Sequence, residues 1–369
     1  MHRLAPFRGP RVHTPVFGGL GLLGLLLSGA AIPALAQEPT VRLDGVQEEV
    51  VVERVVIDAH VIGPNGNPIP GLTRDDFRVK IDGRPVILED VEWLPGEKPE
   101  NDASALVGIE TEEAERFRQD APPGRLIVFF FQHDGTEITR LHGLMRMSQQ
   151  ARRFLDTLLE TDRIAVVSYD SQLKLRQDFT SDREKILRAI TASISTSPAP
   201  PPDLTGRPSL GRYLDGAGAK KAGTPDRAIE VLGRALEPLP GGKSIVFFGW
   251  GLGSTVGGIT GSVASESKDF TEMVYSLARA RANMFTLDVA DADYHSLEGY
   301  LKQVSDLTGG KYMKTNNFPA LAMDLVRRAI SGRYVLVAVK PRGTRGDHTI
   351  EVELVGKRGL VYARQYYQD

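Results

Sequence analysis

The middle of the chain alternates between short apolar runs and longer segments with apolar residues at helical spacing. Residues 126–131 are apolar throughout, with no polar alternation. A run this short, rich in β-branched and aromatic residues, is typical of a strand buried on both faces. A polar stretch at 132–136 and an amphipathic segment at 141–159 follow. Strand, polar loop and helix in this order predict the first unit of a doubly wound α/β sheet.

The same unit recurs toward the carboxyl terminus. Buried strands are predicted at 163–169, 244–248 and 284–288, with shorter strands at 173–179 and 311–313. Helices are predicted after the capping residues Asp182 and Thr224, and at 268–282, 295–307 and 318–330. Between them, residues 196–223 combine several prolines with scattered glycine and lysine, which predicts a mobile surface loop.

Both ends of the chain have strict apolar–polar alternation, which is typical of half-buried strands. Three such strands are predicted near the start, at 55–61, 77–81 and 86–91, and three at the end, at 333–339, 349–354 and 360–367. Asp82-Gly83 is predicted to be a tight hairpin turn from which 86–91 returns, and hairpins are predicted to join the three strands at the end. Three strands alone expose too much apolar surface to be stable. We therefore predict a β-sandwich built from N- and C-terminal strands, with the mostly parallel α/β sheet inserted between them.

The first 36 residues have the pattern of a signal peptide. Arg3, Arg8 and Arg11 precede an apolar stretch at 16–32, and a small-x-small cleavage site ends at Ala36. The alternative, a membrane anchor, is less favoured because the apolar stretch is short and interrupted by glycines. The predicted organisation is signal peptide 1–36, N-terminal β module 37–94, linker 95–124, α/β domain 125–331 and C-terminal strands 332–369. We expect export to the periplasm, cell surface or extracellular space, with no membrane span in the mature chain.

Composition narrows the class of function. The formal net charge is −2 and no basic block stands out, so nothing indicates a nucleic-acid partner. The chain has no cysteine, which excludes disulfides and cysteine-bound metals. No His-Glu-x-x-His, Gly-x-Ser-x-Gly or Walker motif is present, and the glycines after the strand at 244–248 lack dinucleotide-binding spacing.

Several segments resemble the von Willebrand factor A family. Ala-Gly-Thr-Pro at 222–225 resembles its threonine loop, residues 278–288 its helix-to-strand segment, and residues 304–312 its late Leu-Thr-Gly-Gly-aromatic segment. The flanks, with Gly-Asn-Pro-Ile-Pro-Gly-Leu-Thr at 66–73 and Ala-Arg-Gln-Tyr at 363–366, are similar to the VWFA-related exported proteins of the acidobacterial type. The resemblance implies a von Willebrand A or Rossmann-like fold and a protein partner.

The resemblance also implies where a divalent cation would bind. The family takes its oxygen ligands from three loops at the strand ends, and hard cations prefer such ligands. Here Gln132, Asp134 and Thr136 match the first loop, or in another register Asp134, Thr136 and Ile138, and Thr224 matches the second. Trp250 stands where the third loop has its aspartate. With one carboxylate left, we expect a degenerate site, metal ligands limited to Asp134, Thr136 and Thr224, and at most weak Mg²⁺ or Ca²⁺ binding.

A second acidic group follows the strand at 284–288. Asp288, Asp291 and Asp293 are spaced as a short turn, and we expect a solvated acidic turn there.

The leading functional hypothesis is an exported, non-enzymatic protein-binding module without a cofactor. Its predicted binding surface is the strand-end face formed by Gln132, Asp134, Thr136, Thr224 and an exposed Trp250. Two alternatives stay open. One is an exported Rossmann-like hydrolase that uses Asp134 and His133, and the other is a purely structural scaffold.

Overall fold

The computed structural model describes residues 53–96, 124–133, 137–195, 197–201, 204–258, 261–292, 294–341 and 345–368. The predicted signal peptide and residues 97–123 of the predicted linker lie outside the described residues. So do Asp134, Thr136 and Asp293.

Strands and helices alternate along the described chain as follows. The strands are β1 Arg54–Ile62, β2 Phe77–Ile81, β3 Arg84–Pro85, β4 Leu88–Pro95, β5 Leu126–Gln132, β6 Arg163–Tyr169, β7 Leu173–Thr180, β8 Lys243–Gly249, β9 Ser254–Gly258, β10 Gly261–Ser265, β11 Ala282–Asp288, β12 Tyr312–Lys314, β13 Gly332–Val339, β14 Asp347–Leu354, β15 Leu360–Ala363 and β16 Tyr366–Gln368. The helices are α1 Ile138–Phe154, α2 Arg183–Ser193, α3 Gly216–Lys220, α4 Pro225–Leu236, α5 Phe270–Arg279, α6 Glu298–Thr308 and α7 Pro319–Ile330.

Six strands form the central sheet, in the order β12-β11-β8-β5-β6-β7. All neighbours are parallel except β6 and β7, which are antiparallel. The predicted mostly parallel α/β sheet is therefore confirmed. Every residue of β5 is buried, because successive side chains point to opposite faces and helices cover both. Fully burying a Phe side chain contributes roughly 1.5–3 kcal/mol, and β5 buries three in a row.

The helices begin where capping residues allow. The Thr224 hydroxyl accepts a hydrogen bond from the Arg227 backbone N–H, and Pro225 occupies the first helical position of α4. Asp182 caps α2 by accepting from two backbone N–H groups. Both caps were predicted, because hydroxyl and carboxylate side chains satisfy N–H groups that a helix start leaves unpaired.

The strands from the two ends of the chain pair with each other. One four-stranded sheet has the order β15-β1-β13-β4 and another the order β16-β14-β2-β3. We call these two the terminal sheets. They share one hydrophobic cluster, whose largest fully buried side chain is Tyr334. These pairings bring strands from both ends of the chain into the same two sheets.

Two details of the predicted strands are wrong. The stretch after Asp82-Gly83 does not return as one strand beside β2. Only β3 pairs there, followed by one further hydrogen bond from the Val86 N–H to the Val79 carbonyl, and β4 then crosses to β13 in the other terminal sheet. The tail strands β13 and β14 likewise belong to different sheets, so the connection between them is not a hairpin.

Residues 204–223 of the predicted mobile loop pack against the domain. The buried Asp178 carboxylate accepts hydrogen bonds from the Ser209 hydroxyl and from the backbone N–H of Leu210 and Gly211, at 2.7, 2.6 and 3.0 Å. Leu210 is fully buried in the core. The prediction failed because it judged the segment by its own composition, whereas an aspartate on β7 supplies the anchor.

Candidate functional site

The strand order reverses between β5 and β8, because β6 and β7 lie beyond β5 in the sheet, whereas β11 and β12 lie beyond β8. In open α/β sheets, ligands bind at the carboxyl ends of the strands where the order reverses. We call the edge formed by the carboxyl ends of β5, β8, β11 and β12, with the loops that follow them, the carboxyl-end face. The structure describes three of the predicted site residues, Gln132, Thr224 and Trp250. All three belong to segments that the sequence analysis assigned to the carboxyl-end face.

Gln132 is the last residue of β5, and its side-chain amide connects β5 to the loop after β8. Its Oε1 accepts hydrogen bonds from the backbone N–H of Trp250 and Gly251, at 2.9 and 3.2 Å. Its Nε2 donates to the Gly251 carbonyl at 3.0 Å. Gln132 is 1% exposed, and both acceptor positions of its oxygen are in use. This geometry gives Gln132 a structural role in positioning the loop.

Trp250 follows β8 and is half-buried against the helices of one sheet face. The Arg140 guanidinium lies over the indole ring, 3.8 Å from its centroid, in a cation–π arrangement. The indole Nε1 is buried and has no hydrogen-bond partner among the described residues. Trp250 is therefore less exposed than the sequence analysis expected, with one face of the ring covered by arginine.

Thr224 is engaged on both sides. Besides accepting from Arg227, its hydroxyl donates to the Asp269 carboxylate at 3.1 Å. Two residues later, the fully buried Asp226 accepts from the Gly253 N–H with both carboxylate oxygens, at 3.1 and 3.0 Å. Burial, and then the charge of Asp269, raise the pKa of Asp226, whereas the hydrogen bonds from Gly253 lower it. The net effect is a raised pKa. The second glycine of the loop is thus held to the start of α4.

Of the three predicted metal ligands, Thr224 lies among the described residues, and Gln132 is the described residue of the matching first loop. The oxygen of Gln132 already accepts from two backbone N–H groups, which occupies both of its acceptor positions. The Thr224 hydroxyl donates to Asp269 and accepts from Arg227, which leaves its oxygen one acceptor position. No cluster of three or more histidine or acidic side chains suited to a metal occurs among the described residues. Asp134 and Thr136 lie outside them, so their role as ligands or contact residues stays a prediction.

Asp288 is the centre of a buried network at the end of β11. One of its oxygens accepts from the Tyr312 hydroxyl at 2.8 Å and lies 2.8 Å from His295 Nε2, and the other accepts from the Ala290 N–H at 3.0 Å. Burial, and then the Asp288 charge, raise the pKa of Tyr312 well above its usual range.

The expectation of a solvated acidic turn is wrong for Asp288, which is 1% exposed. The partners His295 and Tyr312 stand 7 and 24 residues away along the chain, so local spacing gave no signal of the network. Asp291 is exposed and faces Arg146 at 3.8 Å.

Large apolar side chains are exposed beside the carboxyl-end face. Tyr294, after β11, is 79% exposed, and Phe318, after β12, is 67% exposed. Ile138, which begins α1 after β5, is 63% exposed. The sequence analysis did not identify these three as exposed contact residues. It considered Ile138 only in an alternative register of the first loop and Phe318 only as the start of a helix, and Tyr294 stands outside the apolar runs.

No protein-family model matches the sequence, and no curated protein matches it. Some solved structures have a similar backbone. They include a von Willebrand factor type A from Catenulispora acidiphila, with 10% identity and a TM-score of 0.41 over 80% of this chain and 74% of that one. The conserved hypothetical protein BatB from Bacteroides thetaiotaomicron has 13% identity and a TM-score of 0.37, over 56% of this chain and 98% of its own.

An aerotolerance-related membrane protein from Bacteroides fragilis has 12% identity and a TM-score of 0.36, over 56% of this chain and 98% of its own. Likenesses at these scores carry no argument about function, and the fold class rests on the strand order itself. In the described part of the chain, no helix combines the length and apolar character needed to cross a membrane.

Proposed function

We propose that the protein is an exported, non-enzymatic binding module that docks a protein partner on the carboxyl-end face. In this proposal the central domain is von Willebrand A-like with a degenerate metal site, and the terminal sheets form a β-sandwich that carries it. Export rests on the signal-peptide pattern of residues 1–36.

The exposure of Tyr294 and Phe318 is the observation that carries the proposal. Aromatic residues with an apolar body and high exposure are enriched among the residues that anchor protein interfaces. The connections that hold them are adjacent, because the Thr315 N–H donates to the Asp288 carbonyl at 3.0 Å and so ties the loop after β12 to the end of β11. α1 also contacts this region, since its Gly143 lies directly against the Val289 carbonyl.

This proposal changes the anchors relative to the sequence analysis. Tyr294 and Phe318 are the proposed contact residues, with Ile138 beside them. Trp250 and Arg140 form a platform beneath the partner, because the Arg140 guanidinium covers one face of the indole ring. Gln132 and Thr224 position loops rather than touch the partner.

The hydrolase alternative is less supported. Its candidate His133 is bonded to the Tyr169 carbonyl through its backbone N–H, a contact that does not orient the imidazole, and Asp134 lies outside the described residues. At the described acid–imidazole pair, the third group is the Tyr312 hydroxyl, which gives its proton to Asp288 rather than to His295. A base that activates a nucleophile must itself accept the nucleophile's proton.

The experiment is affinity capture from an envelope extract of the native host, with the immobilised mature protein and a double variant, Tyr294→Ser with Phe318→Ser. Ile87→Ser is the matched control, because Ile87 is 70% exposed and lies between β3 and β4, among the terminal sheets. We expect a partner that is retained by the wild type and the control and lost by the double variant. A partner retained equally by all three proteins would refute the carboxyl-end face as the docking surface.

A further inference from the structure

A cavity of about 590 Å³ lies at the opposite edge of the central sheet. One side is formed by the amino ends of its strands, including Arg125 of the β5 start, Lys243 of β8 and Arg281 before β11. The other side is the terminal sheet that contains β13 and β4. We call this space the amino-end cavity. Its volume falls in the range of small-molecule pockets, roughly 300–1,000 Å³.

Alternation along β13 determines what faces the cavity. Tyr334, Leu336 and Ala338 point into the cluster between the terminal sheets, so Arg333, Val335 and Val337 point the other way. Much of the cavity wall is apolar and comes from both sides of the space: Leu94, Leu159, Leu239, Ile330, Val335 and Val337. Such a wall can hold a hydrocarbon group, and the charged groups decide what that group must carry.

Asp58 is buried beside the cavity and has more cationic neighbours than it can neutralise. Arg281 binds it through two parallel hydrogen bonds, at 2.8 and 2.9 Å. The Arg333 Nε lies 3.2 Å from Asp58 Oδ1, an oxygen that Arg281 already uses. Arg364 is near enough to lower the pKa of Asp58 further, after Arg281 and Arg333, and together they outweigh the effect of burial. One carboxylate thus faces three guanidinium groups.

Arg333 is the group with unused donors. Its Nε is buried and forms no hydrogen bond, and its guanidinium makes none to any described residue beyond the charge contact with Asp58. Arg364 differs, since it donates to the carbonyls of Ala278 and Val56 at 2.9 and 2.7 Å. A guanidinium is always charged and offers five donors in a planar fork, which matches a carboxylate.

The other described cationic side chains at the cavity are already paired with carboxylates or carry less than a full charge. Arg125 forms a bidentate pair with Asp162, and Arg279 lies 3.4 Å from Glu237. Lys243 is buried and donates to the carbonyls of Leu239 and Ala280. Burial, and then the Arg281 charge, lower the pKa of Lys243 to about 7, so it adds less than a full positive charge.

We propose that the amino-end cavity binds a small amphipathic monocarboxylate, with its carboxylate on the Arg333 guanidinium and its hydrocarbon group on the apolar wall. The Arg333 guanidinium has unused donors and can hold one carboxylate group. The half-buried carboxylates of Asp90 and Glu92 line the cavity on the edge strand β4, so a second negative charge on the ligand is disfavoured. A phosphate monoester carries nearly two charges and fits less well.

Isothermal titration of the full chain with four eight-carbon probes tests the charge and its number. Octanoate has the proposed chemistry, octanol lacks the charge, suberate carries a second carboxylate, and octyl phosphate carries the wrong headgroup. We expect octanoate to bind roughly tenfold or more tightly than octanol, because a hydrogen bond to a charged group contributes about 1.5–3 kcal/mol. Suberate and octyl phosphate should bind more weakly than octanoate, because Asp90 and Glu92 disfavour their additional negative charge. Binding of octanol as tight as octanoate, or no heat with octanoate, would overturn the proposal.

Three variants locate the site. Arg333→Gln removes the unmatched guanidinium and should weaken octanoate roughly tenfold or more. Arg279 lines the same cavity but is paired with Glu237, so the octanoate affinity of Arg279→Gln should stay within about twofold of the wild type. Val335→Phe leaves every charge in place and fills the space, and should also abolish binding. Equal octanoate affinity in Arg333→Gln and wild type, with both folded by circular dichroism, would place any bound octanoate elsewhere and refute the assignment.

Discussion

Replacing Gln132 with methionine tests the role of the buried amide that connects β5 and β8. Methionine has nearly the same length and volume, so the change removes hydrogen bonds without leaving a large cavity. It leaves the N–H groups of Trp250 and Gly251 and the Gly251 carbonyl without their partner. An added Cβ on Gly249 would come within 2.5 Å of the Gln132 oxygen, so the space around the amide is too tight for a replacing water.

The expected loss follows from the three unsatisfied groups. A buried donor or acceptor left without a partner costs about 1–3 kcal/mol. Because the two N–H groups share one acceptor and Trp250 is only half-buried, we expect about 3–5 kcal/mol in the free energy of unfolding. That is a large part of the roughly 5–15 kcal/mol typical of a folded domain.

The assay is equilibrium unfolding in urea, followed by circular dichroism, together with amide hydrogen exchange of residues 249–253 by mass spectrometry. Exchange should accelerate in this loop before it does in β5. Gln303→Met is the matched control, since Gln303 is exposed on α6, and its free energy of unfolding should change by less than about 0.5 kcal/mol. A loss below about 1 kcal/mol for Gln132→Met, with unchanged exchange of the loop, would show that the amide does not hold the loop as argued.

The remaining predictions concern packing, pH and metal. Gly310→Ala would place a Cβ 1.9 Å from the Met284 carbonyl oxygen and should lower the free energy of unfolding in urea by about 2 kcal/mol or more. Gly299 has open space around it, so Gly299→Ala should be neutral or stabilising. Equal effects of the two substitutions would contradict the packing. Burial lowers the pKa of His60 to about 4, so the unfolded chain binds a proton first as the pH falls, and the free energy of unfolding should decrease by about 3 kcal/mol between pH 6.5 and 4. Urea unfolding across this range should show a weaker dependence of that free energy on pH in His60→Gln than in the wild type. An unchanged dependence would refute the assignment. Calorimetry with Mg²⁺ and with Ca²⁺ should show no tight binding, and a micromolar affinity that Asp134→Ala abolishes would overturn the degenerate-site prediction.

The sequence was sufficient for the central sheet because its strands are buried on both faces and have no polar interruption. β5 and β8 begin and end within a residue or so of their predicted limits, and the caps Asp182 and Thr224 mark their helices correctly. Side-chain chemistry at the ends of the strands was harder to predict. The partner of Gln132 is a backbone segment more than a hundred residues away, and no local pattern encodes it.

The same limit explains the errors outside the central sheet. Asp178 anchors residues 209–211 through contacts about thirty residues apart, so composition alone suggested a loose loop. The hairpin of β9 and β10 was missed because its strands are short and rich in glycine and serine, which are poor predictors of strand. The change of sheet between β3 and β4 depends on packing against β13, which lies at the far end of the chain.

The pairing of β1 with β13 sets the order in which the protein can be completed. Ala59 lies opposite Tyr334, so the two ends of a 275-residue stretch must meet. Closing a flexible loop of that length costs about 5 kcal/mol in chain entropy, less once the central domain has folded and shortened the gap. Synthesis must therefore have passed β13 before β1 gains this neighbour. Truncation after Ile330 would remove β13 and so leave β1 and β4 without the strand that lies between them, although the sequences of both remain intact.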